Sequence, residues 1–191
     1  MKVFLFGGAF DPPHLGHQKI VDELLDSGIA DRVWYVPVGS HAFDKQMTPA
    51  KHRLAMLELI QRDGTRIETF EIDQANGVNY TYDTLKALAK KYPQHEFSWV
   101  IGSDNLRDFH KWGDGRSFTH LDMVKAFPFY VYPRKGYSMN PLYEGMIPLT
   151  NVDEIDISST EVRTFLKQHK NVNKFVSPEI NQYIEKLDLY L

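Results

Sequence analysis

The chain has 191 residues, 42% hydrophobic and 25% charged, with a formal net charge of −3 and no cysteine. That length suits one compact unit with a sizeable core, and the charge balance offers no basic stripe for a nucleic-acid backbone. The missing cysteine excludes thiol nucleophiles, disulfides and Cys-based zinc sites. No run reaches the ~20 apolar residues of a membrane-spanning helix, so no membrane partner is expected. A soluble, unprocessed cytoplasmic α/β protein is the expectation at this point.

In chain order, Val3-Phe4-Leu5-Phe6 reads as a buried first strand. The segment Gly7-Gly8-Ala9-Phe10-Asp11-Pro12-Pro13-His14-Leu15-Gly16-His17 follows it, and then Ile20, Val21, Leu24 and Leu25 recur at helical spacing. Val33-Trp34-Tyr35-Val36 reads as a second strand closed by Pro37. Residues 49–63 carry Leu54, Met56, Leu57 and Ile60 at helical spacing, and residues 66–71 alternate like a strand. Residues 81–92 read as a helix with Leu85, Leu88 and Ala89 inward and Pro93 just beyond its end. Residues 97–101 form a buried strand ending in Gly102, and residues 127–132 form another. Ser158-Ser159-Thr160-Glu161 fits a capping box ahead of Val162, Phe165 and Leu166. Ser177-Pro178-Glu179 opens a last helix with Pro at its first position and Ile180, Tyr183, Ile184 and Leu187 as its stripe. The alternation predicts a doubly wound parallel sheet with helices on both faces. Residues 1–191 are read as one domain, with a sheet core over 1–150 and a C-terminal helical subdomain over 151–191.

The chemistry concentrates where the first strand hands over to a helix, a place where open parallel sheets bind nucleotides. Neither G-x-x-x-x-G-K-[ST] nor G-x-G-x-x-G occurs there. Instead, Gly7 and Gly8 let the backbone approach a ligand, and Asp11-Pro12-Pro13 makes a rigid turn that Asp11 is expected to hold. His14 and His17 share one face of the helix start, where exposed N–H groups add positive potential. Two imidazoles over such a nest suit a phosphate with developing negative charge. A metal site at His14 and His17 is the weaker alternative, since no third ligand is visible nearby in the sequence. Far along the chain, Ser159, Thr160 and Arg163 offer hydroxyls and a guanidinium at another helix start, a second setting for phosphate oxygens.

The first segment resembles the G-G-x-F-D-P-x-H-x-G-H signature of the nucleotidylyltransferase superfamily. Ile157-Ser158-Ser159-Thr160-Glu161-Val162-Arg163 resembles its I-S-S-T-x-x-R motif. Between them, Asn79-Tyr80-Thr81-Tyr82-Asp83-Thr84-Leu85 is similar to the S-Y-T-x-D-T-L segment of the nicotinate and nicotinamide mononucleotide adenylyltransferases. Ile101-Gly102-Ser103-Asp104-Asn105-Leu106 is similar to their I-G-x-D-x-L, with Phe109 and Trp112 as the aromatic pair that follows. Pro37-Val38, Lys45 and His52-Arg53-Leu54-Ala55-Met56 resemble their P-V-x-x…K…H-R-x-x-M stretch.

The resemblance implies a Rossmann-like nucleotidylyltransferase fold and adenylyl transfer from ATP, with Mg²⁺ arriving on the nucleotide, to a pyridine mononucleotide. It implies His17 as the donor to the α-phosphate and His14 as a holder of the ATP phosphates. Gly7, Gly8, Gly102, Asp104, Arg134, Ser158, Ser159, Thr160 and Arg163 would complete the ATP side. Gly8, Ala9, Phe10, Lys45, Tyr80, Thr81, Thr84 and Trp112 would form the acceptor side, with Trp112 stacked on the pyridine ring. Arg53 would have a supporting role. Three departures bear on the acceptor: Ala9 replaces a usual Ser or Thr, the loop reads His41-Ala42-Phe43-Asp44-Lys45, and Asn76-Gly77-Val78 lacks an Arg often found there. Nicotinate mononucleotide is the first expectation, with nicotinamide mononucleotide or dual use as the alternative. A phosphopantetheine adenylyltransferase or cytidylyltransferase fits Tyr80, Thr81 and Trp112 less well. A non-catalytic nucleotide-binding protein would have no need of His14, His17 and Arg163 together.

Overall fold

The computed structural model describes residues 1–39, 47–73 and 80–191. Among these, six strands form one sheet: β1 (Lys2–Gly8), β2 (Arg32–Pro37), β3 (Thr65–Ile67), β4 (Glu96–Gly102), β5 (Phe129–Tyr132) and β6 (Met146–Pro148). Their spatial order is β3-β2-β1-β4-β5-β6, and every pairing is parallel. The chain therefore builds outward from β1 in one direction, then returns to place β4 on its other side. A crevice opens outside the strand ends where the order reverses, between β1 and β4.

Strand periodicity divides the apolar residues between two cores. Phe4 and Phe6 of β1 face one side with Val33, Tyr35, Val100 and Tyr132. That side is covered by α1 (Leu15–Asp26), α2 (Ala50–Glu58), α6 (Ser159–Lys167) and α7 (Pro178–Lys186), through Ile20, Leu24, Met56, Leu57, Val162 and Ile180 among others. Val3 and Leu5 face the other side with Trp34, Val36, Phe97, Trp99 and Val131. There α4 (Thr81–Lys91), a 3-10 helix (Ser103–Lys111) and α5 (His120–Ala126) contribute Leu85, Leu88, Leu106, Phe109 and Met123. The last two helices thus bury their stripes in the same core as α1.

The elements differ from the sequence reading in informative places. The alternation over 66–71 is strand only to Ile67, after which Phe70–Asp73 forms a short helix, α3. Glu68 makes the last ladder bond, to the Tyr35 carbonyl at 2.8 Å, and the Thr69 hydroxyl then donates to Asp73 at 2.8 Å and starts the turn. The strand expected from residue 127 begins at Phe129, because Phe127 caps α5 and Pro128 has no N–H for a ladder. Helix α2 stops at Glu58, short of residue 63. Leu187, placed on the apolar stripe of the last helix, is 41% exposed. The 3-10 helix, α5 and β6 are too short or too polar to carry a clear period.

Packing by itself requires glycine at position 7, since a Cβ there would collide with the Trp99 indole. Gly7→Ala should cost about 2 kcal/mol in urea unfolding through overpacking. The penalty should shrink in a Trp99→Phe background, and equal penalties in both backgrounds would refute the contact.

Candidate active site

The turn between β1 and α1 is fixed from several directions. Phe10 starts it with a φ of 49°, in the left-handed region uncommon for a bulky residue. Its ring anchors the turn, 1% exposed and edge-on to Phe6, Tyr35 and His17. Asp11 is 3% exposed. One carboxylate oxygen accepts the Tyr190 hydroxyl at 2.8 Å, and the other accepts the Thr48 N–H at 3.3 Å. Beside it, the buried Arg53 guanidinium donates to three main-chain carbonyls: Ala9 at 2.8 Å, Val38 at 2.8 Å and Thr48 at 3.0 Å. Those oxygens belong to the loops after β1 and β2 and to the entry of α2. Sequence reasoning gave Arg53 only a supporting role. The available signal was an arginine three and four residues before the buried Met56 and Leu57, on the apolar side of the helix.

Two histidines then cap α1. His14 is the N-cap, with extended backbone, and His17 stands at the third helical position. The His17 N–H donates to His14 Nδ1 at 3.3 Å, and the His14 N–H donates to His17 Nδ1 at 3.1 Å. This is the reciprocal geometry of a capping box, made by imidazoles instead of Ser and Glu. The rings stack with centroids 3.6 Å apart. Gly16 is required between them, since a Cβ there would come within 3.0 Å of His14 Nδ1 and 2.7 Å of Ile155.

An Nδ1 that accepts carries no proton, so each neutral ring holds its proton on Nε2. The neutral state is strongly favoured. Burial, then the Arg134 charge, push His14 from 6.5 down to about 3. Burial, then His14 and Arg134, hold His17 well below its ordinary value. Although part of His17 reaches solvent, its ring is packed by Phe6, Phe10 and His14. The site thus presents two neutral Nε2–H donors beside a permanent cation.

The other expected ATP-side residues converge on this turn. Ser158 caps α6 by the foreseen box with Glu161, at 3.2 and 3.1 Å. The Ser159 hydroxyl donates to the Pro12 carbonyl at 2.9 Å, and Arg163 donates to the Asp11 carbonyl at 2.6 Å and to Thr160 Oγ1 at 3.2 Å. Helix α6 is therefore stitched to the first turn. Gly102 ends β4 beside Gly7 and Gly8 of β1 in the crevice, and its carbonyl accepts the Asn105 amide at 3.2 Å. Arg134 donates to the Ile157 carbonyl at 2.7 Å and stands 3.8 Å from the Asp104 carboxylate.

Of the expected acceptor-side residues, Gly8, Ala9 and Phe10 belong to the end of β1 and the first turn, whereas Tyr80, Thr81, Thr84 and Trp112 lie with the elements on the other face of the sheet. Tyr80 caps α4 edge-on to Phe118, and Thr81 is the first helical residue. The Thr84 side chain is committed to the interior, its hydroxyl donating to Glu71 at 2.8 Å. Trp112 is half-buried against Phe109, with ring centroids 5.1 Å apart. Lys45, the rest of the 41–45 loop, and Asn76, Gly77, Val78 and Asn79 lie outside the described residues.

Arg53→Met would leave three partly buried carbonyls without their donor and should cost about 3 kcal/mol in urea unfolding; a change under ~0.5 kcal/mol would show that the carbonyls find other partners. The imidazoles set a pH dependence. Their folded pKa values lie below the unfolded one, so their stabilisation is complete above about pH 6.5 and declines toward about pH 3. The slope should approach 1.4 kcal/mol per pH unit for each group, roughly. Urea midpoints at about pH 7.5 and 5 should therefore fall more in the natural chain than in His14→Gln/His17→Gln. Parallel falls would contradict neutral burial.

The family model described as Cytidylyltransferase-like matches residues 5–165. The chain is 34% identical to a "Probable nicotinate-nucleotide adenylyltransferase" of Shouchella clausii, covering 99% of this chain and 96% of that protein. It is 29% identical to the "Nicotinate-nucleotide adenylyltransferase" of Bacillus subtilis, covering 99% and 98%. Among solved structures, Plasmodium falciparum nicotinic acid mononucleotide adenylyltransferase complexed with NaAD shares the fold at a TM-score of 0.83, with 23% identity over 99% of this chain and 97% of that one. The two-histidine cap at the sheet's reversal point, the second motif stitched to it and near full-length similarity place the chain in the nicotinate-nucleotide adenylyltransferase family of the Cytidylyltransferase-like proteins.

Proposed function

We propose that the protein joins ATP and nicotinate mononucleotide to give deamido-NAD and pyrophosphate. An oxygen of the acceptor 5′-phosphate attacks the α-phosphorus in line. The bond from that phosphorus to the bridging oxygen breaks, and pyrophosphate leaves with the electron pair. No side chain forms a covalent bond to substrate. The chain's task is to hold two anions together and to stabilise the charge that grows between them.

The paired-imidazole cap carries this reading. Neutral Nε2–H groups donate to phosphate oxygens without needing a titration step, and the fixed turn aims them before substrate arrives. We assign His17 to the α-phosphate and His14 to the neighbouring ATP phosphates. Arg134 supplies positive charge, with Gly7, Gly8, Gly102 and Asp104 lining the ATP side. The α6 start, with Ser158, Ser159, Thr160 and Arg163, faces the β- and γ-phosphates and braces the turn. The acceptor side is assigned to main-chain groups of Gly8, Ala9 and Phe10, to Tyr80 and Thr81, to Lys45, and to Trp112 as the stacking surface. Thr84 supports this wall from within, through Glu71.

Among the described residues, no group of three or more His, Asp or Glu could hold a metal ion. Mg²⁺ arriving with ATP is assigned to the nucleotide phosphates and water, the coordination this ion favours. Nor is any described helix long and apolar enough to cross a membrane.

Pyrophosphate release from Mg-ATP with nicotinate mononucleotide, nicotinamide mononucleotide and phosphopantetheine tests the reading. Nicotinate mononucleotide should give the highest kcat/KM. Release with phosphopantetheine alone, or with no acceptor at all, would overturn it. His17→Ala should lower kcat ~10²-fold, and near-normal turnover would remove His17 from its role.

A further inference from the structure

Helix α7 ends in a turn that sends the chain back to the site. Leu187 is the C-cap, and Asp188 follows with a φ of 48°. The Asp188 N–H donates to the Glu185 carbonyl at 3.4 Å, and the Leu189 N–H donates to the Ile184 carbonyl at 3.1 Å. These two bonds define a Schellman motif, whose left-handed position is usually glycine. Tyr190 also has a positive φ, 70°. Two non-glycine residues in this region persist only where surrounding contacts over-determine them. Those contacts are the packing of Leu189 and Tyr190 against the core and the 2.8 Å hydrogen bond from the Tyr190 hydroxyl to Asp11 Oδ1, across 179 positions of sequence. Burial raises the phenol above its ordinary value, a Thr48 hydrogen bond opposes this and the Asp11 charge reinforces it, so the hydroxyl remains a donor.

Asp11 needs that donor. Its carboxylate is almost fully buried, and the Thr48 N–H satisfies only the other oxygen. Asp11 lies three residues before the His14 cap, and its own carbonyl is held by Arg163. A rotation of the carboxylate would therefore pass into the turn that aims both imidazoles. Helix α7 is independently docked on α2, the helix that carries Arg53, since His52 Nδ1 and the Tyr183 hydroxyl are 2.9 Å apart.

We propose that Tyr190 is a positioning residue of the two-imidazole turn: its hydroxyl orients the Asp11 carboxylate, which fixes the turn and thereby the Nε2–H donors of His14 and His17. Its effect on rate rests on the adenylyl-transfer reading; its effect on the imidazoles does not.

The test uses Tyr190→Phe in the full chain, which removes one oxygen and keeps the ring. Nitrogen NMR of the substrate-free protein should show the His14 and His17 imidazole resonances shifted or broadened. In steady state, kcat should fall ~10-fold while KM for each substrate stays within about twofold, since a misaimed donor weakens the transition state more than binding. On an Asp11→Ala background, which removes the acceptor, Tyr190→Phe should add less than it does alone, because the effect runs through Asp11. Unchanged imidazole resonances, or additive losses in the double variant, would overturn the proposal. If the natural chain transfers no adenylyl group to any acceptor, the functional reading fails and the NMR comparison still decides the positioning role. Should Tyr190→Phe fail to fold, Asp11→Asn alone carries the comparison. It keeps an oxygen for the phenol, so imidazole resonances near those of the natural chain support the proposal, and resonances as displaced as in Asp11→Ala refute it.

Discussion

A guanidinium with 1% exposure has no water to turn to, so each of its three nitrogens requires an oxygen nearby. Arg53 meets that requirement with carbonyls from the loop after β1, the loop after β2 and the entry to α2. These are the segments that come together at the reversal point of the sheet. Loop carbonyls cannot use the sheet ladder, and each would be costly if buried without a donor. The arginine therefore serves both parties: it satisfies three orphan acceptors, and they satisfy it. Its planar fork suits three divergent acceptors in a way that a lysine ammonium does not. With the near side of the turn held this way, the far side is closed by Ser159, Arg163 and Tyr190, all from the last quarter of the chain.

A turn held on both sides can support an unusual helix start. The two histidines satisfy first-turn N–H groups with their Nδ1 atoms, which leaves both Nε2–H groups for a ligand. Stacking at 3.6 Å, burial and Arg134 all oppose a proton on either ring. Capping and ligand binding thus use opposite edges of the same rings. Fixed positive charge comes from the Arg134 guanidinium, which acts on both imidazoles.

Much of this architecture follows from local patterns. The alternation of Val3, Phe4, Leu5 and Phe6 fixes which residues enter which core. The Ser158–Glu161 box appears where its spacing demands it. Residues 66–71 defeated the pattern because a strand's last turn and a threonine-capped helical turn can share the same alternation. Gly7 was read as room for a ligand at the backbone, whereas the demand that the Trp99 ring on the neighbouring strand places on it comes from a residue 92 positions away.

The sequence by itself determined the order of the longer strands and helices, the family and the position of the two histidines at the first helix start, because each is written in short motifs whose residues are neighbours along the chain. Only the tertiary structure decided their protonation, which depends on burial and on Arg134, and the roles of Arg53, Asp11 and Tyr190, which depend on partners far away in sequence. Periodicity and motifs encode local geometry. The satisfaction of a buried charge is a property of what packs around it, and that is settled only when the distant segments meet.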